Sequence, residues 1–434
     1  MGRVTTDPRR SDANAAAAIA GRGLAATTAT IGEFHTAISE RVFSLTGPGV
    51  RPIGVLVGGI SKGVYAAVAG GIRVASYTAG HVVGEVATRR SRPEDYLRLA
   101  DRPRSDVVVG ALNGAWGDRL ARWRNPLALT MTVRVGGRDV ALTGAELRSA
   151  FAQPSTHVVV FVHGLCETER AWWRKADDHY GDSDSSHGTR LATETGATPV
   201  YLRYNTGLHI SVNGEQLAAV LSGLVAHWPV EVTRLTLVGH SMGGLVIRSA
   251  CWHGREGDEP WVDLVRRVVY LGTPHLGAPL EVAVAAAGAA LRKLPETRPL
   301  AGALASRSVG IKDLRYGDVR PEDWADVVDP DAWRPEPSEC APLLEGAEHH
   351  YIGVTLSRNQ DHVIARTIGD AFVTFPSASG KGARRELPLD ADQGRHLGRL
   401  HHFDLLNHPR VWTELRAWLV ESEEGISEVS SPRR

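Results

Sequence analysis

Cysteine, net charge and long apolar runs are all scarce in this chain of 434 residues. Its three cysteines are too few and too scattered for a disulfide framework or a zinc site, which fits a reducing, cytoplasmic environment. The formal net charge is zero, which argues against nucleic-acid binding because such proteins carry a basic surface. No secretory signal is recognisable, and no stretch reaches the roughly 18 uncharged apolar residues of a membrane-spanning helix.

Residues 53–77 come closest to a long apolar run. The segment is rich in glycine, alanine and valine, and only Lys62 and Arg73 interrupt it. These two cations would share one face of a helix, because their spacing is close to three helical turns. The segment therefore indicates either a helix of small residues packed on its own protein or a helix that lies on a lipid surface.

The pattern of strands and helices changes near residue 126. Beyond it, apolar runs typical of strands alternate with helical segments. His157–Val162 is nearly continuous in apolar residues, as in a strand buried on both faces of a sheet. This alternation predicts an α/β fold with a mostly parallel central sheet flanked by helices. The last two strands are predicted at residues 350–356 and 371–375.

The predicted domain organisation has four parts. A segment predicted to be disordered comes first, followed by a helical region whose role we expect to be a cap or a docking region. An α/β domain with a lid or insert comes next, and a short tail ends the chain. These parts are residues 1–28, 29–125, 126–422 with the insert at 280–345, and 423–434.

The segment around Ser241 has the form of a nucleophile elbow. The sequence there is Gly239-His240-Ser241-Met242-Gly243-Gly244, between a strand-like and a helix-like run. A serine on such a sharp turn has its hydroxyl lifted out of the sheet, and the glycines let neighbouring backbone come close. The Met242 N–H and the start of the helix would face negative charge forming on a substrate. We therefore interpret Ser241 as a catalytic nucleophile.

A nucleophilic serine needs a base, and the base needs an acid that orients it. In folds with such an elbow, the order along the chain is serine, acid, histidine. His402 precedes the final predicted helix and is the preferred base, with His401 as the alternative. Asp370 lies 32 residues earlier beside an apolar run and is the preferred acid, with Asp361 as the alternative.

The oxyanion that forms on an attacked carbonyl needs two N–H donors. Met242 supplies one, and we expect Leu165 to supply the other, because the loop after the buried strand reads His163-Gly164-Leu165. Gly164 would let this loop turn towards the serine, while His163 would brace it. No histidine pair has the spacing of a zinc site on a helix, so no metal ion is expected. Acyl transfer through a serine, a histidine and an acid needs no organic cofactor.

Three motifs together resemble the serine lipases and esterases of the α/β-hydrolase superfamily. They are the elbow around Ser241, His163-Gly164, and Gly272-Thr273-Pro274-His275-Leu276-Gly277. The nearest branch looks like bacterial lipase-like proteins related to the inositol deacylases of GPI anchors. The resemblance covers roughly residues 125–422, and the preceding residues match no family.

The resemblance implies roles for several of these residues. Ser241, Asp370 and His402 would form the catalytic triad. The oxyanion and substrate-binding residues would be Gly164, Leu165, His240, Met242 and His275, of which His275 would line the site without transferring protons. Many relatives carry D-G-x-V-P where this chain has Asp370-Ala371-Phe372-Val373-Thr374, so the chain departs from the pattern at the acid.

The implied activity is hydrolysis of a carboxylic ester through an acyl-serine intermediate. The expected partner is an ester or lipid substrate, with peripheral lipid contact through residues 53–77 left open. Three other interpretations stay open. Two are enzymes: an acyltransferase on the same triad, and an enzyme that acts on thioesters or amides. The third is a catalytically silent scaffold that docks partners through residues 30–125.

Overall fold

A computed structural model describes most of the C-terminal two thirds of the chain. The described residues are 11–22, 101, 105–278, 306–329, 340–359, 369–370, 372–382 and 385–421. Several predictions lie outside them: the segment 53–77, most of the helical region 29–125, the first part of the insert at 280–345, the tail, and Asp361.

One mixed sheet organises the described part of the chain. Its strands are β1 (Thr132–Val135), β2 (Arg138–Val140), β3 (His157–Val162), β4 (Thr198–Arg203), β5 (Arg234–His240), β6 (Val265–Leu271), β7 (Glu348–Thr355) and β8 (Gly394–Gly398). Their order is β2-β1-β4-β3-β5-β6-β7-β8. Strands β3 to β8 pair in parallel, and β1 is antiparallel to both β2 and β4. The predicted α/β fold with a mostly parallel sheet is confirmed.

Helices occupy most of the connections between these strands. They are α1 (11–22), α2 (Ser105–Arg122), α3 (Gly144–Ala150), α4 (Ala176–Tyr180), α5 (His187–Thr195), α6 (Ile210–His227), α7 (Met242–Glu256), α8 (Val309–Asp313), α9 (Glu322–Ala325), α10 (Phe375–Ala378) and α11 (Pro409–Arg416). Among the described residues, no helix is both long enough and apolar enough to cross a membrane.

The central strand β3 shows how the sheet is covered on both faces. All six of its residues are buried. Val158, Val160 and Val162 join one apolar cluster with side chains of α6 and α7. Val159 and Phe161 face the opposite way and join a second cluster with side chains of α5 and α11. Each fully buried side chain of this kind contributes about 1.5–3 kcal/mol, so the two clusters fix the sheet between its helices.

One strand prediction near the C-terminus is wrong, and one strand there was not predicted. The strand predicted at residues 371–375 is wrong: residues 372–374 are outside any strand, and the helix Phe375–Ala378 follows. The backbone N–H groups of Phe372 and Val373 instead donate hydrogen bonds to the carboxylate of Asp370. The last strand is β8, which the sequence did not reveal, because it contains two glycines, an arginine and a histidine.

The chain divides into two compact units, and the larger one contains the sheet. It consists of Gly110–Asp118, Leu129–Val282 and Ser308–Arg434. Residues 110–118 thus belong with the sheet, although the sequence assigned them to the N-terminal region. The Asn205 amide donates to the Gly117 carbonyl over 3.0 Å, and the Ser308 hydroxyl donates to the Gly114 carbonyl over 2.6 Å.

The smaller unit contains α1 and residues 119–128. The guanidinium of Arg22 lies 4.0 Å from the ring centroid of Trp123, and the Asn125 amide donates to the Ala15 carbonyl over 3.4 Å. The disorder predicted for residues 1–28 is therefore wrong for residues 11–22, because an alanine-rich segment has high helix propensity and here finds packing partners.

Candidate active site

Ser241 lies on a strained turn between β5 and α7. Its φ of 54° and ψ of −123° are unfavourable for a residue with a side chain. The Ser241 N–H donates to the carbonyl of Leu271, the last residue of β6, over 2.8 Å. Its hydroxyl does not cap the helix that follows. The turn is thus held by backbone contacts, and the hydroxyl is not used for structure at the helix start.

The glycines beside Ser241 are required by close packing. A Cβ on Gly239 would lie 2.6 Å from the backbone nitrogen of Gly244. A Cβ on Gly243 would lie 2.2 Å from the carbonyl oxygen of Val162, at the end of β3. Both distances are far below van der Waals contact, so the turn can form only with glycine at these positions.

Asp370 and His402 form a buried hydrogen-bonded pair. The Nδ1 atom of His402 lies 2.7 Å from Oδ2 of Asp370. His402 is 3% exposed and Asp370 is 1% exposed. The other oxygen of Asp370 accepts the N–H groups of Phe372 and Val373 over 2.9 and 2.8 Å. Burial lowers the pKa of His402, but the adjacent Asp370 and, more weakly, Glu167 raise it to a net value above the ordinary one.

His402 lies beside the strand end that anchors the serine turn. A Cβ on Gly272, the residue after Leu271, would lie 3.2 Å from Cε1 of His402. The rings of His402 and His240 have centroids 4.8 Å apart, and His240 directly precedes Ser241. The alternative base, His401, is 38% exposed at its side chain and faces Asp404 at 3.2 Å, in the turn that it caps.

The loop after β3 packs directly against the serine turn. A Cβ on Gly164 would lie 3.0 Å from both the Cβ of Ser241 and Nδ1 of His240. Within the described part of the chain, the N–H of the next residue, Leu165, donates no hydrogen bond. Met242 is the buried first residue of α7, where an N–H has no partner inside the helix. Both expected oxyanion donors therefore lie beside the turn.

The predicted site residues His163 and His275 are buried and unsuited to proton transfer. His163 stacks on Tyr204 with ring centroids 4.5 Å apart, and burial lowers its pKa to about 4. His275 is fully buried against Tyr270, and burial holds its pKa well below the ordinary value. Burial and the neighbouring Glu167 raise the pKa of Cys166 to about 11, so its thiol stays protonated at neutral pH.

Glu167 is a site residue that the sequence analysis missed. Its Oε2 accepts the Gly164 N–H over 2.6 Å and lies 3.0 Å from Nδ1 of His240. Burial raises its pKa, but His240 and His163 outweigh that effect, so the net pKa is lowered and the carboxylate is charged. No motif marks this glutamate, because His240 follows it by 73 residues.

Comparison with known proteins agrees with this geometry. Residues 152–314 match the family described as "Putative serine esterase (DUF676)". A triacylglycerol lipase of Burkholderia plantarii is 27% identical over 177 residues, which cover 39% of this chain and 44% of that lipase. The chain thus matches less than half the length of this relative.

Solved structures of lipases also resemble the chain. The mature lipase BlEst2 of Bacillus licheniformis shares 19% identity, with a TM-score of 0.39, over 62% of this chain and 93% of its own. Phospholipase PlaB of Legionella pneumophila shares 13% identity, with a TM-score of 0.37, over 64% of each chain. By its sheet, its elbow and the family match of residues 152–314, the chain is similar to the serine lipases and esterases of the α/β-hydrolase superfamily.

Proposed function

We propose that this protein hydrolyses carboxylic esters through an acyl-serine intermediate. The observation that carries the proposal is the buried hydrogen bond of 2.7 Å between Asp370 and His402, beside the strained turn of Ser241. A buried acid that orients a histidine near a serine on such a turn is the arrangement needed to activate a hydroxyl. The match to a serine esterase family supports the same chemistry.

The proposed reaction has two halves. His402 accepts the proton of the Ser241 hydroxyl as its oxygen attacks the ester carbonyl carbon, and the N–H groups of Leu165 and Met242 stabilise the resulting oxyanion. His402 then gives that proton to the departing alcohol, which leaves an acyl-serine. In the second half, water attacks the acyl-serine while His402 accepts a proton from it. His402 then returns this proton to Ser241, and the carboxylic acid is released. Asp370 keeps Nδ1 of His402 protonated, so that Nε2 is the atom that exchanges protons.

An ester with an apolar acyl chain is the proposed substrate, by analogy with the lipase of Burkholderia plantarii. We further propose a cytoplasmic location, which is supported by the free state of Cys166, Cys251 and Cys340. Contact with a lipid surface and resemblance to inositol deacylases stay predictions.

Labelling with a fluorophosphonate tests the nucleophile, because this reagent modifies only an activated serine. We expect the wild-type protein to be labelled and to hydrolyse p-nitrophenyl esters, and Ser241→Ala to do neither. Ser222→Ala is the matched control, since this hydroxyl lies on α6 and bonds to Ala218 and Glu259. Equal labelling of wild type and Ser241→Ala would refute the proposal, and an unlabelled wild type would favour a catalytically silent scaffold.

A series of p-nitrophenyl esters also separates hydrolysis from related reactions. Chain lengths from acetyl to palmitoyl, with and without a lipid interface, define the acyl preference. Added alcohols distinguish hydrolysis from acyl transfer, because a transferase forms a new ester in place of the free acid. A matching thioester series tests in the same way whether the protein is a thioesterase.

A further inference from the structure

Glu167 connects three loops that meet at the proposed active site. Its Oε2 accepts the N–H of Gly164, in the loop that carries the Leu165 donor. The same oxygen contacts Nδ1 of His240, the residue before the nucleophile. The Nε2 atom of His240 lies 3.2 Å from the backbone carbonyl oxygen of His402. The Glu167 carboxylate therefore contacts the oxyanion loop directly. It is connected to the loop of the base through the imidazole of His240.

His240 links Glu167 to the loop of the base. The charged carboxylate of Glu167 can only accept hydrogen bonds, and it lies 3.0 Å from Nδ1 of His240. The ring of His240 is fully buried, and its Nε2 lies 3.2 Å from the backbone carbonyl oxygen of His402. The carboxylate therefore fixes the orientation of a ring that lies between the serine turn and the loop of the base.

We propose that Glu167 is a positioning residue for ester hydrolysis: through its contacts with Gly164 and His240, it holds the Leu165 donor against Ser241 and holds the His402 loop in register with both. This inference rests on the proposed function. Without the carboxylate, the Gly164 N–H loses its acceptor and the loop is free to move away from Ser241. The His240 imidazole would also lose its partner at Nδ1, and with it the contact that orients the ring.

A buried glutamate two residues further along the chain, Glu169, provides a matched control. Glu169 binds Arg203 through two hydrogen bonds of 2.5 and 2.7 Å and Arg134 through a third of 3.2 Å. The structure shows no contact between Glu169 and Gly164 or His240 among the described residues. Glu169→Gln therefore changes a buried charge of the same segment without changing the three-loop connection.

The test measures kcat and KM of folded Glu167→Gln, Glu167→Ala and Glu169→Gln with a p-nitrophenyl ester. For Glu167→Ala we expect kcat to fall on the order of 10²-fold, because a shift of about 1 Å in a catalytic group has such an effect. For Glu167→Gln we expect roughly a tenfold fall, because the amide oxygen can still accept from Gly164 but carries no charge. KM should change little in both variants, and Glu169→Gln should keep the wild-type kcat per folded molecule.

The pH profile of Glu167→Gln adds a measurement that a purely structural role would not affect. The groups that face His402 are Asp370, Glu167 and His240. Since the charge of Glu167 raises the pKa of His402, its removal should move the acidic limb of kcat/KM to lower pH. Glu169→Gln should leave that limb unchanged.

The outcomes separate this inference from the proposed function. Inactivity of the wild type would refute the hydrolase itself. An active wild type, with wild-type kcat and an unmoved acidic limb in folded Glu167→Gln, would refute the role of Glu167 alone. If Glu167→Ala does not fold, Glu167→Gln decides the question by itself. A fall in kcat of the same size in Glu169→Gln would also overturn the inference. The loss of activity would then follow from removing either carboxylate, and not from the contacts of Glu167.

Discussion

Replacement of Asp370 by asparagine should nearly abolish turnover while leaving the fold intact. Oδ1 of Asp370 accepts two backbone N–H groups, from Phe372 and Val373, and only an oxygen can occupy that place. The introduced amide must then present its NH₂ group to His402, 2.7 Å away. His402 would be forced to accept at Nδ1 and to carry its proton on Nε2, where it cannot take the serine proton. We expect kcat to fall about 10⁴-fold, which corresponds to roughly 5.5 kcal/mol of transition-state stabilisation.

Steady-state hydrolysis of a p-nitrophenyl ester and thermal unfolding together test this reasoning. The melting temperature should change little, because asparagine keeps both backbone hydrogen bonds. Asp370→Ala should also destabilise the fold, since a buried N–H that loses its acceptor costs about 1–3 kcal/mol. The exposed Asp392→Asn is the control and should behave as wild type. A folded Asp370→Asn protein within tenfold of the wild-type kcat would refute Asp370 as the acid and favour Asp361.

The charges of the larger unit give two more testable expectations. Because the pKa of His402 is raised above 6.5 and its neutral form is the base, kcat/KM should fall as the pH drops through a value above 6.5. A profile that is flat between about pH 6 and 8 would contradict this. Glu169→Ala should lower the free energy of unfolding by about 3–5 kcal/mol, measured in urea, because Arg203 and Arg134 are 3% and 1% exposed at their side chains and lose their shared carboxylate. The exposed Glu146→Ala should lower it by less than about 0.5 kcal/mol.

Patterns that depend on neighbouring residues were readable from the sequence. The apolar run of β3 predicted a buried strand with its bounds, because burial on both faces demands apolar side chains at every position. The turn between β1 and β2 has the same local origin, because paired glycines are typical of a hairpin turn and both Gly136 and Gly137 have positive φ, 56° and 77°. The elbow around Ser241 was readable for the same reason, because close backbone packing restricts its neighbours to glycine.

Features that depend on distant partners were not readable. Strand β8 forms because the edge of β7 offers hydrogen bonds to it, although its own residues favour a loop. The segment after Asp370 has the composition of a strand, but its N–H groups donate hydrogen bonds to the Asp370 carboxylate and not to a neighbouring strand. Glu167 resembles any polar loop residue until the fold places His240 beside it. Tertiary contacts override local preference in all three cases.

The place of residues 110–118 has a practical consequence for dissecting this protein. A chain shortened to begin at residue 126, where the sequence pattern changes, would delete the carbonyl groups of Gly114 and Gly117. The side chains of Ser308 and Asn205 donate to these two groups, and both donors are buried. A hydrolase fragment should therefore retain residues 110–118, and limited proteolysis of the full chain should leave these residues attached to the sheet.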